Sequence, residues 1–112
     1  MKLEKLIGVA MGNEKPDLVI KNANIVDVFC GSLIKGDVAI IDGVIAGIGE
    51  YSSEIEFDAN GKYLMPGFID AHVHIESSMV TPSEYSRLVI PKGVTSVVCD
   101  PHEIANVSGI DG

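Results

Sequence analysis

The stretch Pro66-Gly67-Phe68-Ile69-Asp70-Ala71-His72-Val73-His74 decides how the rest of this 112-residue chain is read. Residues two apart in an extended strand project from one face, so Asp70, His72 and His74 share a side while Ile69, Ala71 and Val73 take the other. Two imidazoles therefore converge. Neutral imidazole is a good ligand for zinc-, iron- or manganese-class ions, and a rigid strand holds such a pair with little entropy left to lose. On spacing alone, alternating surface or core-satisfied histidines fit equally well, and the surroundings must decide.

Downstream, Thr81-Pro82-Ser83-Glu84 supplies a cap, a first-turn proline and a glutamate three residues after the cap, which together mark a helix start. That helix is expected to run to about Ile90, where Pro91 and Gly93 end it. Val94-Thr95-Ser96-Val97-Val98-Cys99 follows, a nearly continuous β-branched run of the kind buried in a parallel sheet. The order strand, helix, strand is one βαβ unit. Parallel α/β barrels carry their chemistry at the carboxyl ends of the strands, which is where the two histidines lie. Asp100-Pro101-His102-Glu103 follows the second strand at the equivalent end and is expected to face the same mouth. Taken alone it is also the composition of a polar loop with a helix-capping aspartate. Glu76, followed by Ser77 and Ser78, suits either a substrate contact or a cap for the next turn. An eight-unit barrel needs roughly 200 residues or more, so this chain is expected to hold only its start.

Upstream the pattern is different. Leu3, Leu6, Ile7 and Ala10 fall at helical spacing, and Gly12-Asn13 is a stop signal. Short β runs then follow at residues 18–20, 24–28, 37–41 and 44–48. The last two flank Asp42-Gly43, a two-residue link suited to a type I′ turn. Residues 57–59 and 62–65 add shorter strands around Asn60-Gly61. These segments predict part of a small β-sandwich over residues 1–65, followed by the barrel start over residues 66–112. Gly43, Gly47 and Gly49 are better explained as hairpin glycines than as a dinucleotide loop, since Ser52 stands at the next glycine position and no helix pattern follows.

With 16 acidic against 8 basic residues, a net charge of -8 offers no basic patch for nucleic acid or an anionic membrane surface. The most apolar stretch, residues 38–48, is too short for the roughly 20 residues of a spanning helix. A leader pattern is missing at Met1-Lys2-Leu3-Glu4-Lys5, so a cytoplasmic protein is expected. Cys30 and Cys99 form no CxxC pair and read as buried small hydrophobes rather than as a disulfide framework. The cytidine-type deaminase signature, H-x-E with a later P-C-x-x-C, is not met, since no P-C-x-x-C follows.

The strand from Pro66 to His74 resembles the opening barrel strand of the amidohydrolase superfamily. Ile75-Glu76-Ser77-Ser78-Met79, with Cys99-Asp100-Pro101-His102-Glu103-Ile104-Ala105-Asn106-Val107, is similar more narrowly to the adenine deaminases within it. This resemblance implies an α/β plus β chain: the amino-terminal portion of a small β-sandwich, then the first βαβ unit of a (β/α)8 metal-dependent hydrolase barrel, truncated. It implies hydrolysis of adenine to hypoxanthine and ammonia by the complete enzyme, with a divalent metal, manganese or iron, zinc being the further option. On the matching positions His72, His74 and Asp100 are implied as metal residues and Glu76, His102 and Glu103 as catalytic residues. Later ligands and the proton shuttle lie on strands beyond this sequence. Alternatives from other classes are an amidohydrolase acting on a cyclic amide, as dihydroorotases and hydantoinases do, and a non-catalytic metal-binding module. Open strand edges and apolar faces predict a homo-oligomer.

Overall fold

The structure, a computed structural model, describes residues 3–111 and divides into two units, Met1–Met65 and Pro66–Gly112. In the first, helix α1 (Leu3–Ala10) turns Leu6 and the fully buried Val9 onto Ala39 and Ile41. The strands are β1 (Leu18–Asp27), β2 (Ser32–Ile41), β3 (Val44–Gly49), β4 (Glu56–Asp58) and β5 (Tyr63–Leu64). They form one mixed sheet in the order β3-β2-β1-β4, with β5 also on β1. Strand alternation gives β2 two buried faces: Ala39 and Ile41 meet α1, whereas Val38 packs with Ala23, Ile25 and Ala59. Among the described residues this unit holds a single sheet with a helix on it, and no second facing sheet.

The β2–β3 hairpin turns at Asp42-Gly43, whose φ values of 49° and 75° are those of a type I′ turn. The two runs expected at residues 18–20 and 24–28 are one strand interrupted by a bulge, with Asn22 at φ 55° and the register shifting between Ile20 and Ala23. Asp37 sits at this break. Its carboxylate accepts from the Lys21 ammonium at 2.5 Å, the Asn22 N–H at 3.2 Å and the Tyr51 N–H at 3.4 Å. Burial pushes the Asp37 carboxyl up, but the Lys21 hydrogen bond and the two N–H groups outweigh it, so the group ends below its ordinary value. The strands around Asn60-Gly61 do not pair with each other. Both run parallel to β1, because the Ala59 and Gly61 N–H groups donate to Lys21 and Asn22 carbonyls at the bulge and carry the chain along β1 instead of reversing it.

The second unit contains β6 (Phe68–Val73), α2 (Pro82–Val89), β7 (Val94–Cys99) and α3 (His102–Ser108). Thr81 caps α2, its hydroxyl accepting from the Glu84 N–H at 3.4 Å, with Pro82 in the first turn. A 3-10 turn at Ile90–Lys92 ends at Gly93, φ 94°, and delivers the chain into β7. The strands β6 and β7 are parallel. Gly67 permits their close start, because a β-carbon there would collide with the Thr95 side chain.

Candidate metal centre

The β6–β7 ladder pairs Val73 with Cys99, so the next residue on each strand, His74 and Asp100, emerges side by side at the carboxyl end. His74 is still extended, at φ -106° and ψ 99°, which continues the alternation of β6 and puts its ring on the side of His72. The two Nε2 atoms stand 3.1 Å apart. Asp70 does not join them; its carboxylate turns to the backbone N–H of His72 at 3.2 Å.

Orientation comes from the neighbouring strand. His74 Nδ1 lies 3.2 Å from the Asp100 carbonyl, an acceptor only, so Nδ1 carries the proton and Nε2 presents its lone pair. His102 Nδ1 likewise faces the Asp100 carboxylate at 2.9 Å, which leaves its Nε2 free. The Asp100 hydrogen bond, then the Asp100 charge, hold the His102 imidazole above its ordinary value; slight burial opposes this, and Glu103 and Glu76 add to the upward shift. The rings of His72 and His74, and of His74 and His102, meet edge-on with centroids 5.0 Å apart in each pair. Donor atoms of His74, Asp100 and His102 all fall within 4.8 Å of one another.

These residues suit a divalent ion. Two neutral imidazole nitrogens pointing at each other at 3.1 Å repel unless a proton or a cation lies between or beside them. Nitrogen ligands at about 2.0–2.1 Å from one ion are themselves roughly 3 Å apart at bond angles near 90–100°. The Asp100 carbonyl on His74 Nδ1 is the kind of outer partner that commonly orients a ligating histidine.

Of the six residues singled out from sequence, His72, His74, Asp100 and His102 form one continuous row. Glu76 and Glu103 lie at its flank. The Glu103 N–H donates to Glu76 Oε1 at 3.2 Å, and the Ser77 hydroxyl donates to Glu103 Oε2 at 3.2 Å. The sequence offers the helix α3 after this loop only as the alternative reading, with Asp100 as its cap; the cap is Pro101 instead. Sequence reasoning missed the Asp100 carbonyl as the partner of His74, which no side-chain motif encodes.

Residues 63–112 match the model of the Amidohydrolase family. Among curated proteins, the chain is 60% identical over 110 residues to Adenine deaminase 2 of Desulfotalea psychrophila, covering 98% of this chain and 19% of that protein. It is 58% identical over 112 residues to the adenine deaminase of Ligilactobacillus salivarius, with 99% and 19% covered. The adenine deaminase of Bacillus pumilus is 62% identical over 106 residues, with 95% and 18% covered. The chain thus spans about a fifth of the length of the curated relatives it matches, 18–19%. Among solved structures, N-acyl-D-glutamate deacylase from Bordetella bronchiseptica, complexed with zinc and a phosphonate inhibitor, superimposes with TM-score 0.65 and 35% identity, covering 77% of this chain and 19% of that one. L-hydantoinase from Arthrobacter aurescens gives TM-score 0.61 and 26% identity, over 76% and 20%. The histidine-bearing unit thus lies inside the region that matches the amidohydrolase family, and adenine deaminases are similar to the chain along almost its whole length.

Proposed function

We propose that this chain is the amino-terminal part of an adenine deaminase, in which water replaces the exocyclic amine of adenine to give hypoxanthine and ammonia. The observation that carries the chemistry is the convergence of His72 and His74 Nε2 at 3.1 Å beside the Asp100–His102 pair. The substrate rests on the relatives, 54–62% identical over 106–112 residues. His72 and His74 hold the ion, manganese or iron, with zinc the other option; when bound, it supplies a water of lowered pKa. Asp100 orients His102 and supports the ion's outer shell. His102, its Nε2 free, takes or gives a proton at the purine side, with Glu76 and Glu103 flanking that position. The whole polypeptide completes a (β/α)8 barrel on β6, α2 and β7, and the sheet of Met1–Met65 forms one layer of a β-sandwich.

Cytoplasmic location and a place in purine metabolism belong to the same reading, supported by two free cysteines, exposed rather than buried as their sequence setting suggests, that suit a reducing compartment. No helix among the described residues is long and apolar enough to cross a membrane. Self-association of residues 1–112 on their own is part of the proposal too, supported by exposed Phe68, Ile69 and Val98 on β6 and β7.

Ammonia release tests the reading. The full-length polypeptide loaded with manganese is expected to release ammonia from adenine, and residues 1–112 alone to release none, because two or three ligands do not complete a catalytic site. Turnover by residues 1–112 above background contradicts the second expectation. The likeness to L-hydantoinase favours a second reading, hydrolysis of a cyclic amide. Ring opening of hydantoin by a full-length protein inert toward adenine selects it.

A further inference from the structure

Helix α3 begins at His102, the last residue of the row, and none of its residues is buried by the described residues. Its amino-terminal cap, Pro101, makes no side-chain cap hydrogen bond. The first N–H groups of a helix have no partner within the helix and must be met from outside. In α3 the Glu103 N–H is met by Glu76 Oε1 at 3.2 Å, from the turn that follows β6. Glu103 answers with its own carboxylate, which accepts the Ser77 hydroxyl at 3.2 Å. Adjacent residues of one loop thus grip the backbone and the side chain of one residue in the other. The Glu103 N–H is the one hydrogen-bond partner of the Glu76 carboxylate among the described residues, Oε2 being buried without one.

We propose that Glu76 and Ser77 are positioning residues that latch the first turn of α3 to the loop after β6, holding Asp100 and His102 against His74. The latch rests on the metal-site reading of that row only for its purpose; its existence is independent of any ion. Glu76 acts through the Glu103 backbone, so an amide in its place, which can still accept the N–H, preserves the effect, whereas a methyl group does not.

Site-resolved hydrogen exchange on the full chain, with cobalt(II) titration followed by visible absorption, tests the latch. In the wild-type protein the Glu103 amide is expected to exchange at least about tenfold more slowly than an unstructured amide. Glu76→Ala removes that protection, Ser77→Ala reduces it by about threefold, Glu76→Gln retains it, and the β7 amides stay protected throughout. Cobalt affinity is expected to fall roughly 10–100-fold in Glu76→Ala, the range for losing a ligand's supporting partner, and to recover in Glu76→Gln. An unprotected Glu103 amide in the wild type overturns the proposal, whether or not the variants fold; so does a Glu76→Ala protein with unchanged protection and affinity. A protected Glu103 amide in a protein that takes up no cobalt supports the latch and counts against the metal reading alone.

Discussion

Replacing His74 with alanine is expected to abolish metal binding at this end of the β6–β7 pair, with cobalt(II) affinity falling more than about 100-fold, since loss of a mere supporting partner already costs roughly 10–100-fold. The expectation follows from the central place of His74 in the row. Its Nε2 faces that of His72, its Nδ1 is held by the Asp100 carbonyl, and its ring abuts His102. Asp70→Asn is the informative control, because Asp70 shares the strand but spends its carboxylate on the His72 backbone N–H. Its affinity is expected to stay within about threefold of wild type, as surface-directed polar changes do. Equal losses in the two variants would mean that the strand as a whole, rather than the imidazole, had been damaged. Titration with cobalt, read by its visible absorption, gives both values.

The second large effect is on stability and lies in the first unit. Asp37 gathers three donors at the bulge of β1, and Asp37→Asn weakens all three while leaving the half-buried Lys21–Asp37 contact without its negative partner. A loss of at least about 5 °C in Tm at pH 7 is expected, since each kcal/mol shifts a small domain by roughly 4–8 °C. The pH dependence has a definite sign. A carboxyl whose folded value is depressed contributes stability that is present above its unfolded pKa of about 3.9 and is lost as pH falls through the lower folded value. The wild-type advantage over Asp37→Asn should therefore be constant from pH 7 down to about 5 and shrink below about 4. Calorimetry of the two proteins across that range checks it. A difference that stays the same at pH 3 contradicts the account of Asp37.

Much of the site was legible because it depends on local rules. Strand alternation placed His72 and His74 on one side, and the Thr81-to-Glu84 pattern located the start of α2 to the residue. Asp42-Gly43 specified the hairpin for the same reason, since its backbone demands positive φ at both positions. What escaped depends on pairing between distant segments. The pairing of Val73 with Cys99 sets His74 beside the Asp100 carbonyl, and a backbone acceptor carries no side-chain signature. Asn60-Gly61 is a turn signal, but the Ala59 and Gly61 N–H groups on either side of Asn60 donate to the Lys21 and Asn22 carbonyls at the β1 bulge, and the chain continues parallel to β1. Asp37 read as one polar residue in an apolar run; only the bulge opposite it explains why a buried carboxylate is stable there.

The central claim is that the His72 and His74 nitrogens close on one cation. Anomalous diffraction at the manganese edge, from crystals of the full-length polypeptide grown with manganese, measures this directly. The account predicts a peak about 2.0–2.3 Å from both Nε2 atoms, within the range of metal–nitrogen bonds. A peak ligated elsewhere, with the two imidazoles turned away and more than about 4 Å from it, would contradict it.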